Sequence, residues 1–396
     1  MLIHPLVPYR QNGLALLIFL FMTMAAMLAL IVGAHAPPRL DDDATNQALA
    51  DAQEALLAWS MARPDTQRAP PGLMPYTDRA NDGDYDGQSD CVVTDLDNNL
   101  LRIGMLPWRG EPESAGNSNC EGRTDNTART DDVGTPPFDA SGSRLWLAVS
   151  RNVIDNRVFA DYADIVAGHR FLTPAALRST AADPHWLRVC GADGQILADR
   201  AALVIIAPGA PLGEQRRGGA APAARQFLDA ITLPAPCGPV VDHAGATNTY
   251  VLAPRSAGFN DRIRYLSRDA YLDRLVLRTM QSLRAIVAAH AAAHGGALPD
   301  PADPADAMLR CDPAWPAAVF GMLPAGNGEG CAGLLQAGPS PWPAWDDPAD
   351  PQGWFRAMRY RRIDAGQAEL SIEGCASLFT LQLRDGSLRL GRDKVC

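Results

Sequence analysis

The segment Leu14–Ala34, LALLIFLFMTMAAMLALIVGA, constrains this chain more than any other stretch. It carries no charge, and Thr23 is its only hydroxyl. As a helix rising 1.5 Å per residue it would span about 30 Å, the thickness of a bilayer core. Backbone groups in lipid must pair internally, so a lone apolar span is expected to be helical. The sequence therefore predicts a transmembrane helix over 14–35. Pro37-Pro38 follows, and proline removes a helix donor and disfavours helix in the residue before it, so a break or kink is expected there.

What precedes the span narrows its reading. A secretory signal peptide has an apolar run of about 7–15 residues and then a small-residue cleavage site. This run is longer, and Pro37 directly follows the small-residue site Ala34-His35-Ala36. Arg10-Gln11-Asn12-Gly13 sits immediately before the apolar run. This arrangement resembles the leader of type IV pilins and type II secretion pseudopilins, which a prepilin peptidase cuts after a glycine. The resemblance implies a leader over 1–13 and cleavage between Gly13 and Leu14. Most such proteins carry Glu as the fifth mature residue, where this chain has Ile18. That Glu pairs with a neighbouring subunit's N-terminal amine. Its absence fits a subunit with none ahead of it, at the tip of a fibre.

The remaining chain has room for one large or two ordinary domains. With 34 Gly and 32 Pro it should be rich in loops. A net charge of −10, with no basic stripe, argues against nucleic acid as a partner. All eight cysteines follow the apolar span: Cys91, Cys120, Cys190, Cys237, Cys311, Cys331, Cys375 and Cys396. None lies in a C-x-x-C pair, which argues against zinc ribbons and thioredoxin-like sites. An even set without such pairs points to disulfides and an oxidising compartment.

Leu49, Ala52, Leu56 and Trp59 recur at helical spacing behind Asp41-Asp42-Asp43, whose charge suits a helix N-terminus. Pro64 to about Ser141 reads as loop, and Leu145–Val153 as a short helix. Trp186–Cys190 and Gln195–Ala207 read as strands around the turn Gly191-Ala192-Asp193-Gly194. Ser267 can cap a helix over 268–294 whose stripe is Leu272, Leu275, Val276, Leu283, Ile286 and Val287, stopped by Gly295-Gly296. An order then recurs: helix, cysteine, Gly-Met-Leu-Pro, cysteine, aromatic stretch, strands with two more cysteines. The tetrapeptide stands at Gly104–Pro107 and again at Gly321–Pro324. Disulfides that respect this repeat would join Cys91–Cys120, Cys190–Cys237, Cys311–Cys331 and Cys375–Cys396.

The expected fold is α+β: a transmembrane helix, then two tandem helix-on-antiparallel-sheet units over 41–259 and 260–396. These units look like pilin heads stapled by disulfides. The best candidate binding site is Asp82-Gly83-Asp84-Tyr85-Asp86-Gly87-Gln88-Ser89-Asp90. Asp82, Asp84, Asp86 and Asp90 offer carboxylates and Gln88 a carbonyl, as in the first half of a calcium loop, while Gly87 permits the sharp turn. The closing Glu of an EF-hand is replaced by Val93. His290 and His294 share a helix face, but Ala291-Ala292-Ala293 separates them and supplies no metalloprotease Glu. No nucleophile elbow, phosphate-binding loop or dinucleotide fingerprint occurs, so an enzyme is not expected.

The resemblance implies a structural or assembly component of a type IV pilus or type II secretion system. Its partners would be the inner membrane, other pilin or pseudopilin subunits and a prepilin peptidase, with its bulk in the periplasm. The alternative is a membrane-anchored, calcium-stabilised adhesin or binding module that never joins a fibre.

Overall fold

A computed structural model describes residues 39–66, 71–78, 85, 87, 103–108, 133, 137–154, 186–219, 222–245, 248–335, 353–373, 378–384 and 386–392. The 1–13 leader, the 14–35 span and the diproline lie outside these residues. Residues 1–46 and 47–396 form separate compact units. The first contributes only the opening turns of helix α1 (Arg39–Thr66) to the described residues.

The regular structure of the rest is mainly strand. Besides α1, the described residues hold helix α2 (Arg268–Ala293), the one-turn helix α3 (Trp354–Ala357) and thirteen strands. Six strands form one sheet: β1 (Ile103–Met105), β2 (Trp146–Val149), β3 (Leu187–Gly191), β4 (Ile196–Ala207), β7 (Thr249–Leu252) and β8 (Arg262–Ser267). β4 pairs antiparallel with β3 along its first half and with both β2 and β8 along its second. β3 and β7 run parallel. The hairpin β5 (Ala230–Thr232) and β6 (Val240–Asp242) stands apart from it. The second sheet is an antiparallel meander: β9 (Gly321–Met322), β10 (Met358–Arg362), β11 (Gln367–Ile372), β12 (Leu378–Arg384) and β13 (Ser387–Arg392), with β9 at one edge and β13 at the other.

The described chain is not the expected transmembrane helix followed by two tandem pilin-like units. One hydrophobic core contains residues of α1, α2 and both sheets, so the sheets do not have separate cores. Leu49, Ala52 and Leu56 of α1 join the α2 stripe Leu272, Leu275, Val276 and Leu283 in it. Leu203, Ile205 and Leu147 of the first sheet and Tyr360, Leu370 and Phe379 of the second complete it. The parallel β3–β7 pair also departs from an all-antiparallel sheet.

Among the described residues no helix is long and apolar enough to cross a membrane, so the expected single-pass inner-membrane placement finds no support there. The two long helices are amphipathic. Asp51 and Glu54 on α1, and Asp269 and Arg284 on α2, stay exposed while the opposite stripe is buried.

Local readings fare unevenly. Ser267 Oγ accepts the Ala270 N–H and caps α2 as expected. β3 and β4 fall where strands were expected. The short helix expected over Leu145–Val153 is mostly strand: Trp146–Val149 is β2, and only Arg151–Val153 makes a 3-10 turn. Its side chains alternate, with Trp146 and Ala148 in a second core and Leu147 and Val149 in the main one. A strand covered on both faces is apolar throughout and can be mistaken for a buried helix. The repeated tetrapeptide does have a structural counterpart. Gly104-Met105 lies in β1 and Gly321-Met322 is β9, each an edge strand paired antiparallel to the strand that follows it in its sheet.

Candidate functional site

Polar side chains converge on the loop after β4, residues 207–213, which Pro208 and Pro211 stiffen. Asp139 anchors its near side. Its Oδ1 accepts from the Ser141 and Ser143 backbone N–H groups, at 2.8 and 2.9 Å, and from the Ser141 hydroxyl. Its Oδ2 accepts the Gly209 N–H at 2.8 Å. Arg217 plugs the same loop. Its guanidinium donates to the carbonyls of Gly209, Gln226 and Phe227, to Ser143 Oγ and to Gln215 Oε1, and it lies over the Phe227 ring. Burial pulls the Arg217 pKa down, opposed by the charges of Asp139, Asp261 and Asp229.

Beyond Arg217 the network is buried. Gln215 donates to Asp229 Oδ1, and Asp229 Oδ2 accepts the Asn260 N–H. The Asp229 N–H donates to Asp261 Oδ2 at 2.9 Å, and the Asp229 carbonyl accepts the His243 N–H. His243 and Asp261 have no exposed side-chain surface. The His243 Nε2 accepts the Val251 N–H at 2.9 Å, so its ring proton sits on Nδ1 and is donated to Asp261 Oδ2 at 2.8 Å. Desolvation raises the Asp261 pKa, while its hydrogen bond from His243 opposes the rise.

A carboxylate behind an imidazole also occurs in catalytic triads, where the outer nitrogen meets the nucleophile's proton. Here that nitrogen already serves β7 by holding Val251. The pair is thus a cross-brace between β6, β7 and the chain entering β8, and it has no nitrogen left to act as a base. Comparison with protein-family models, curated proteins and solved structures gives no match to this chain. Its chemistry is therefore read from these contacts alone.

The acidic loop proposed to hold calcium is rooted next to this region. Asp82, Asp84, Asp86, Gln88 and Asp90 lie outside the described residues, but Tyr85 and Gly87 between them are placed. Asp78 is buried. It accepts from Arg144 at 2.6 Å and from the Gly87 N–H at 2.9 Å. Arg144 also donates to the Tyr85 carbonyl. Burial and then the Asp78 charge raise the Tyr85 pKa to about 12. Gly87 adopts φ of 96°, and a Cβ there would lie 2.6 Å from Trp108 Nε1, so the turn requires glycine.

Gly13 and Leu14, the expected processing pair, lie outside the described residues, as do Cys91, Cys120, Cys375 and Cys396. The other four cysteines pair as the repeat suggested, Cys190 with Cys237 and Cys311 with Cys331. His290 and His294 stack with ring centroids 4.2 Å apart. No group of three or more His, Cys, Asp or Glu able to hold a metal occurs among the described residues.

Sequence reasoning missed Asp139, Arg217, Asp229, His243 and Asp261. They are scattered over more than a hundred positions and form no motif. The available signal was the stiff Ala207–Gly213 loop, whose backbone donors and acceptors must find partners once buried.

Proposed function

We propose that this chain is an exported structural subunit of a pilus- or secretion-type assembly, acting through contacts with other subunits rather than by turnover. The observation that carries the proposal is the pair of formed disulfides, Cys190–Cys237 and Cys311–Cys331. Such bonds persist in oxidising compartments, where assemblies of this kind display their heads. The leader-like Arg10–Gly13 supplies the route of export and would make a prepilin peptidase the first partner. The hydrogen-bonded His243–Asp261 brace supports the same reading, because its polar atoms hold backbone in place.

Affinity purification of tagged protein from its native cells tests the proposal. Other pilin or pseudopilin subunits should copurify after crosslinking, and fibre assembly or secretion should fail when the chain is deleted. Unaltered assembly together with no crosslinked subunit would contradict it.

A second reading, a calcium-stabilised binding module acting outside any fibre, draws on one observation. Gly87 takes the left-handed turn that an Asp-x-Asp-x-Asp-Gly calcium loop needs. Under it, Asp82, Asp84, Asp86, Gln88 and Asp90 ligate calcium. Millimolar calcium should then raise the melting temperature relative to chelator, and an unmoved melt would remove calcium from either reading.

A further inference from the structure

The two disulfides sit in different chemical settings. Cys190 and Cys237 are buried in a small apolar cluster with Leu233, Val241, Val251 and Phe259. Cys311 is only 3 % exposed, but its partner Cys331 is partly exposed. The Gly328 N–H points at the bond: it donates to Cys311 Sγ at 3.1 Å and more weakly to the Cys331 carbonyl at 3.3 Å. Any side chain at Gly328 would strike the Cys311 carbonyl and crowd Cys331 Sγ, so this approach exists because the residue is glycine.

We propose that Cys311–Cys331 is a dithiol-reducible lock on the 302–335 loop, whereas Cys190–Cys237 is a permanent staple. An incoming thiolate approaches from the side of Cys331, the partly exposed residue of the pair, and attacks its Sγ. The S–S bond breaks, a mixed disulfide forms at Cys331, and Cys311 leaves as a thiolate holding the bonding electron pair. The Gly328 N–H already faces that sulfur and stabilises the leaving anion, and a better leaving thiolate departs faster. The second thiol of the reductant then attacks the mixed disulfide. It frees Cys331 and closes the reductant into its own disulfide, two electrons having passed to the protein.

The loop is built to respond. It has almost no regular structure, and Leu309 near its start is a buried non-glycine residue held at φ of 47°. That conformation persists only while its surroundings impose it. They do so through the Ala325 and Gly326 N–H groups, which both donate to the Leu309 carbonyl, and through Cys311, whose N–H donates to the Gly326 carbonyl. The disulfide fastens this segment to the chain at Cys331.

Stepwise dithiothreitol titration of the intact protein, with alkylation and peptide mass spectrometry, tests the lock. Cys311 and Cys331 should become alkylated at about a tenfold lower reductant concentration than Cys190 and Cys237. Limiting glutathione should be trapped on Cys331. Limited proteolysis after the first step should cut between residues 302 and 335 while the six-stranded sheet stays intact. Simultaneous or reversed reduction, glutathione on Cys311, or a loop that stays protected would each overturn the proposal. The double variant Cys311→Ser/Cys331→Ser should show the same cuts without reductant. If it does not fold, the wild-type titration still decides.

Discussion

The six-stranded and five-stranded sheets bury their residues in different ways. The first is covered on both faces. Leu203 and Ile205 of β4 face the main core with α1 and α2, and Val204 and Ile206 face a second core with Trp146, Phe227 and Tyr250. The second sheet is covered on one. In β11, Ala368, Leu370 and Ile372 are buried, while Gln367, Glu369 and Ser371 alternate with them on the wetter face. There, Arg361 pairs with Glu369 across β10–β11, and Arg359 pairs with Glu373. The same stapling device follows this division, with one disulfide inside the covered region and the other at a partly exposed loop. Where β4 is packed on both sides, from Ala201 to Ala207, no position is left outward, whereas one-sided β11 leaves half of its positions so.

Substitutions on the two sheets should therefore differ in cost. Val204→Asp would place an unpaired charge in the second core and should cost about 4 kcal/mol or more, or prevent folding. Ser371→Asp, on the open face opposite Arg359, should change stability by less than about 1 kcal/mol. Urea unfolding of both variants compares the sheets directly, and equal losses would refute the difference between them.

Removing one partner of the buried brace comes next. His243→Ala strips Asp261 of a donor and Val251 of its acceptor, and should cost about 2–4 kcal/mol. A double-mutant cycle with Asp261→Ala should show strongly non-additive losses. Cys190→Ser/Cys237→Ser should lower stability by about 2–4 kcal/mol, since the bond closes a separation of 47 residues. Differential scanning calorimetry reads both.

A smaller effect depends on pH. Burial, then the neighbouring His294, lowers the His290 pKa from 6.5 to about 4. The folded helix therefore holds this proton less readily than the unfolded chain does. Its contribution to stability is present above pH 6.5 and is lost as the pH falls from there towards 4. His290→Gln should shrink the fall in melting temperature between pH 7 and pH 4.5. An identical fall in both proteins would show that His290 has no part in it. A change as small as that of Ser371→Asp is expected from Glu369→Ala, an ion-pair loss of within about 1 kcal/mol.

Much of the local structure was legible in the sequence. The α2 stripe, its Ser267 cap, the β3–β4 strands and two disulfide pairs all follow from spacing, turn residues or the repeated order. The arrangement was not. Nothing in the order of elements says that α1 and α2 share one core with both sheets, because that depends on which apolar faces meet in space. Leu145–Val153 was misread because a two-sided strand lacks the polar alternation that identifies a strand. The buried brace was invisible because His243 and Asp261 meet only after β6 and β8 are placed. The acidic loop was legible as a turn at Gly87, whose φ of 96° agrees with the role expected of that glycine.

The proposed role requires a chain that is exported and processed before it enters an assembly. The N-terminal mass of the protein from its native cells, with and without prepilin peptidase, is the decisive measurement. It should show a start at Leu14 that depends on the peptidase. A start at Met1 in both cases would contradict it and favour a binding module that acts outside any fibre.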